Sequence, residues 1–183
     1  MTNVLEAIKN RYTCRKYTDQ KLTDDQIKKL VDAALQAPTA MNAQAFQLIA
    51  VTNPEVLAKL ETSGYAVLPA EVKQRMDQRG GTLLYNAPAI FYIMVDRKTH
   101  PVFADLDAGI IVENLALAAQ SLGLGSTIFG MGRFPLQSSE AQALIKELQI
   151  KDGFEFSISC LVGYSALPPT PHAVDYAKVT YIS

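Results

Sequence analysis

The chain has 183 residues, 49% hydrophobic and 19% charged, with a net charge of −1 and a pI of about 6.1. That length supports one domain, residues 1–183, with a substantial core. No basic excess points to nucleic acid or an anionic membrane, and the low charged share leaves apolar surface for which a partner subunit is a candidate cover.

In chain order, Val4, Leu5, Ala7 and Ile8 fit one face of a short helix with Asn3 as its cap. Thr23-Asp24-Asp25-Gln26 has the capping-box pattern and predicts a helix whose buried stripe is Ile27, Leu30, Val31, Ala34 and Leu35. Pro38 helps to end that helix, and Phe46 to Val51 reads as a buried strand. Asn53-Pro54 supplies an N-cap and first helical residue for a helix through Leu60. From Gly64 to Tyr85 the pattern is weakest: Glu71 to Arg79 reads as a charged helix, broken by Gly80-Gly81 and closed by Pro88.

Ala89 to Val95 is continuously apolar and predicts an interior strand covered on both faces. Asp105 to Leu122 predicts a central, buried helix, ended by Gly123. A strand near Ser126 to Gly130, a helix near Ser139 to Leu148 and a strand from Glu155 to Gly163 follow. Pro168 to Pro171 reads as an extended connector and Lys178 to Ile182 as a last strand. Strands and helices mix without strict alternation, which predicts an α+β fold with helices on both faces of a small sheet.

Two segments carry most of the chemistry. In Arg11-Tyr12-Thr13-Cys14-Arg15, extended backbone would send Arg11, Thr13 and Arg15 to one side, where all three can meet an anion. The alternative is a helix end with ordinary dipole-complementing cations. In Pro38 to Gln44, small residues at Thr39, Ala40 and Ala43 permit close approach of a ligand, and Asn42 and Gln44 offer donors and acceptors for a heterocycle edge. A plain polar loop explains them as well. Gly123 to Gly132 holds four glycines but lacks a Walker lysine and a following helix. It reads as a helix stop and then a strand that admits a flat ring, or as turn punctuation.

Cys14 and Cys160 form no metal or redox motif and read as reduced thiols. His100 reads as a loop residue, and neither it nor His172 has a second ligand at metal spacing, so no metal site is expected. Asp105 and Asp107 are explained by the start of the predicted helix. No signal peptide or membrane-spanning run is evident, which points to a cytoplasmic protein.

Taken in order, Arg11 to Tyr17, Ala37 to Phe46, the helix ending in Gly123-Leu124-Gly125, and Gly163-Tyr164 followed by prolines resemble the motifs of the nitroreductase family. The resemblance covers nearly the whole chain. It implies a mostly antiparallel sheet flanked by helices, and a homodimer that exchanges its C-terminal strand and binds two FMN molecules at the interface. Arg11, Tyr12, Thr13 and Arg15 would contact the phosphate, ribityl chain and ring edge from one subunit. Pro38, Thr39, Ala40 and Asn42 would come from the other, with Phe129, Gly130 and Met131 beside the ring. His172 stands where the family usually has a phosphate-holding arginine or lysine, so FMN would be held more weakly.

The implied activity is hydride transfer from NAD(P)H through flavin N5 to a nitroaromatic or quinone-like acceptor, in ping-pong order. The cofactor would do the redox step, so no catalytic side chain is expected. Alternatives are a same-fold enzyme of different chemistry, such as flavin fragmentation or reductive dehalogenation, and a non-catalytic ligand-binding dimer.

Overall fold

The computed structural model describes residues 3–78, 80–99 and 101–182. His100, and Arg79 at the end of the expected charged helix, lie outside the described residues. Three helices begin where a side chain satisfies amides left open by the first turn. Asn3 accepts from Leu5 N at 3.0 Å to start α1 (Val4–Asn10). Thr23 and Gln26 close a reciprocal capping box at α2 (Asp24–Leu35). Asn53 accepts from Glu55 and Val56 at α3, whose first residue is Pro54. α3 (Pro54–Ala66) runs past the expected end at Leu60, and α4 (Ala70–Asp77) follows.

The sheet has the order β1-β2-β4-β3, and every pairing is antiparallel. Its strands are β1 (Phe46–Val51), β2 (Ala89–Val95), β3 (Gly125–Phe129) and β4 (Glu155–Gly163). β2 is central and buried along its whole length, as its apolar run predicts. Its side chains alternate between two cores: Ile90, Tyr92 and Met94 face one, while Phe91, Ile93 and Val95 face the other. β1 was expected to be buried, but it is an edge strand and largely half-buried.

α5 (Ala104–Ser121) covers the second core through Ala108, Ile111, Val112, Leu115 and Ala119. It ends in a Schellman turn, with Leu124 N bonded to Ala119 O at 2.9 Å and Gly123 N to Gln120 O at 3.1 Å. Gly123 takes φ +74°, which a side chain would resist. The helix was expected to be buried all round, yet Leu106 and Ile110 are 61% and 41% exposed. The apolar face of α1 is open as well, with Val4 67% and Leu5 73% exposed. Both faces are apolar by sequence and stand partly open to solvent in the single chain.

α6 (Ala141–Glu147) seats Leu144 in the first core. The strand expected from Lys178 to Ile182 does not form. Tyr176–Lys178 make a short 3-10 turn, and residues 166–182 are exposed. Within the single chain this segment pairs with neither edge strand of the sheet, β1 nor β3. No described helix is long and apolar enough to cross a membrane.

Candidate functional site

Residues 11–17 run extended alongside the sheet. Thr13 bridges Ser126 in parallel and Tyr17 bridges Ser165 in antiparallel sense. Cys14 N donates to Ser126 O at 2.9 Å. Alternation then sorts the side chains: Tyr12 and Cys14 go into the core, while Thr13 and Arg15 stay exposed. Tyr17 locks this segment down. Its hydroxyl lies 2.9 Å from Thr127 Oγ1 and 3.3 Å from the Leu161 carbonyl, and Thr127 donates onward to the Cys14 carbonyl. Burial pushes the Tyr17 phenol far above its usual range, so it stays a neutral hydrogen-bonding group.

Beside this segment β3 runs into the 3-10 turn Gly130–Arg133. Gly132 packs against Ser159 and Phe156, where a Cβ would meet Ser159 Oγ at 2.3 Å. Ser159, fully buried, donates to the Phe129 carbonyl at 2.6 Å. Arg133 folds back so that Nε donates to the Gly130 carbonyl at 3.0 Å. Thr13, Arg15, Thr127, Phe129, Gly130, Met131 and Arg133 line one cavity of about 690 Å³, walled further by Val72, Tyr85 and Phe134.

Tyr85 is placed from outside the cavity. It takes φ +54° and packs edge-on to Phe129 at 6.2 Å. Glu61 on α3 accepts from Leu83 N at 2.6 Å and Leu84 N at 2.7 Å, holding the turn that precedes it. These are charge-assisted bonds, stronger than neutral ones.

The 38–44 loop sits elsewhere in the single chain. Met41, Asn42 and Gln44 all have positive φ, a conformation that side chains resist. Asp107, buried at the start of α5, accepts from Ala40 N at 3.0 Å. Thr39 Oγ1 accepts from Gln44 N at 3.0 Å, and Gln44 Nε2 donates to Asn42 Oδ1 at 2.9 Å. The loop is therefore held in a defined shape with its outer face exposed.

Residues 8–164 match the nitroreductase family. The chain belongs to the nitroreductase family. A nitroreductase of Desulfitobacterium hafniense, solved with bound FMN, is 32% identical with a TM-score of 0.92, and 100% of each chain is covered. A Methanothermobacter thermautotrophicus protein described as an NADH dehydrogenase/NAD(P)H nitroreductase is 33% identical over 74% of this chain. The chain spans 63% of that relative's own length. An FMN reductase (NADPH) of Bacillus subtilis is 28% identical over 99% of this chain and 75% of its own.

Within this nitroreductase-family chain, the structure gathers Thr13, Arg15, Phe129, Gly130 and Met131 at one cavity. Arg11 is not among them; its Nε pairs with Glu113 Oε1 at 3.3 Å. Tyr12 is a core residue, 8% exposed. Pro38, Thr39, Ala40 and Asn42 line a separate surface, and His172 lies in the exposed tail. Among the described residues, no group of His, Cys, Asp or Glu gathers to hold a metal.

Glu61, Tyr85, Arg133 and Ser159 carry no motif of their own, and their roles emerge only from the packing. Asp107 was explained by the helix dipole alone; its bond to Ala40 joins elements 67 positions apart.

Proposed function

We propose that the chain, as one domain over residues 1–183, binds FMN at the Thr13–Arg15 cavity and works as an NAD(P)H-dependent oxidoreductase. The observation that carries this reading is the lining of the cavity. It combines two threonine hydroxyls, two guanidiniums, three aromatic side chains and a glycine turn, with no carboxylate among the described residues. That donor set fits a flat, anionic, phosphorylated ring. The family membership and the FMN carried by the Desulfitobacterium neighbour support it.

When bound, FMN supplies two-electron chemistry, accepting hydride from NAD(P)H and passing it to a nitroaromatic or quinone-like acceptor. The chain's own residues bind and orient. Thr13 contributes a neutral hydroxyl and Arg15 a guanidinium with no carboxylate partner among the described residues. A cation there favours a ligand that gains negative charge on reduction. Phe129, Tyr85 and Phe134 exclude water from one side of the cavity. Tyr17 and Ser159 hold the walls from behind, through their bonds to Thr127 and Phe129, which line the cavity.

The reading includes a homodimer. Exposed apolar faces on α1 and α5 need a cover, and a second copy supplies one. Its 38–44 loop would then bring Pro38, Thr39, Ala40 and Asn42 to the cavity, and its tail, with His172, would add a strand to this sheet. The test is direct. The purified protein should be yellow or take up added FMN, sediment as a dimer, and oxidise NAD(P)H with menadione or a nitrofuran. Arg15→Ala should weaken FMN binding at least tenfold. A monomer that binds no FMN overturns the proposal.

A further inference from the structure

Arg133 is the second guanidinium of the cavity, and its setting differs from that of Arg15. Nε is tied to the Gly130 carbonyl at 3.0 Å, which fixes the plane of the guanidinium. Its two terminal nitrogens have no partner among the described residues. It is exposed, lines the 690 Å³ cavity, and also lines the adjoining cavity of about 980 Å³, with Ile128 and Gln137 shared between the two. The smaller cavity has an aromatic and apolar side, with Val72, Tyr85, Phe129, Met131 and Phe134, and a polar side that includes Thr13, Arg15, Thr127 and Gln137.

Resting on the FMN reading, we propose that Arg133 is the anchor for an anionic group on the second ligand of the cavity, and so a determinant of specificity. A planar fork held at one nitrogen presents paired donors that match a carboxylate or a phosphate. The apolar walls beside it suit the aromatic body of the same ligand. The preferred ligands are therefore aromatic acids rather than neutral or cationic aromatics. Two sources share this chemistry: an acidic acceptor, and the phosphates of the reduced dinucleotide.

The experiment uses the FMN-loaded protein. Benzoate is titrated into the oxidised form and followed by the flavin absorbance change, and kcat/KM is measured for NADPH. The ratio of kcat/KM for 4-nitrobenzoate to that for 4-nitrobenzamide is measured alongside. Arg133→Gln should weaken benzoate and lower the ratio at least tenfold, and Arg133→Lys should recover part of the loss. A loss confined to NADPH assigns the anchor to the dinucleotide and still supports the proposal. Unchanged benzoate affinity, ratio and NADPH efficiency in both variants overturn it. Failure of the wild type to hold FMN is a different result: it removes the oxidoreductase reading on which this one rests.

Discussion

The Ser159 hydroxyl donates to the Phe129 carbonyl at 2.6 Å, and that same oxygen occupies the space in which a side chain on Gly132 would have to sit. One buried serine therefore fixes both the end of β3 and the turn beyond it. Gly132→Ala would put a Cβ 2.3 Å from Ser159 Oγ and 3.2 Å from its Cβ. Overpacking of this kind costs about 1–3 kcal/mol, and each kcal/mol lowers Tm by roughly 2–4 °C in a domain of this size. Adding Ser159→Ala removes the nearer atom, so the double variant should lose less than the sum of the two single losses. Strict additivity in urea denaturation would show that the contact is unimportant.

Asp107 should matter for the loop more than for its own helix. Asp107→Ala leaves Ala40 N without its partner in a segment that holds three positive-φ residues. Losing a bond to a charged group costs about 1.5–3 kcal/mol. Asp107→Asn keeps an oxygen acceptor and should cost less. Hydrogen exchange at the Ala40 amide reads this directly: much faster in the alanine variant, intermediate in the asparagine variant. Equal protection in all three proteins would remove Asp107 from this role.

Acid should weaken one surface network in a predictable direction. Asp105 accepts two bonds from Arg97, at 2.7 and 3.0 Å, and one from Ser157 at 2.6 Å. Arg97 first, and Ser157 second, hold its carboxyl below the usual carboxylate range. A carboxylate depressed on folding adds stability that is full above its unfolded pKa of about 3.9, and that stability is lost as pH falls through the folded value. The acid limb of a stability profile should therefore be shallower in Asp105→Asn than in the wild type. The contribution is small and screened by salt, because the pair is largely solvated. Identical acid limbs at low ionic strength would contradict it.

Both thiols should be silent in the folded protein. Cys14 is 1% exposed and Cys160 fully buried. Burial pushes the Cys160 thiol up to about 12, so the reactive thiolate is scarce as well as hidden. A chromogenic disulfide reagent should titrate neither group in native buffer and both in denaturant. Rapid labelling of the native protein would show that the core opens locally.

Much of this fold was legible because local chemistry and global packing agree. The caps at Asn3, Thr23 and Asn53, the stop at Gly123 and the apolar run of β2 each act within a few residues, and each marks its element. Sorting of Tyr12 and Cys14 inward from Thr13 and Arg15 follows from extended backbone alone. What could not be read depends on distant partners. The edge position of β1 is decided by the order of the whole sheet. Whether Lys178 to Ile182 pairs as a strand depends on where the tail runs, and in the single chain it meets neither edge of the sheet. Arg11 was grouped with Thr13 and Arg15 by spacing, but Glu113 on α5 draws it aside. Glu61 and Asp107 act on amides far away in sequence, which no local pattern encodes.

The tail leaves the body at a fixed point, since Ala166 N is bonded to Lys16 O at 2.9 Å. Residues 167–182, fully stretched, reach at most roughly 55 Å, enough to traverse a neighbouring molecule of similar size. Lys178 lies near the far end of that strap and is exposed in the lone subunit. If the proposed dimer forms, trypsin cleavage after Lys178 would gauge it: swift on isolated chains, slow where the strap lies across a companion.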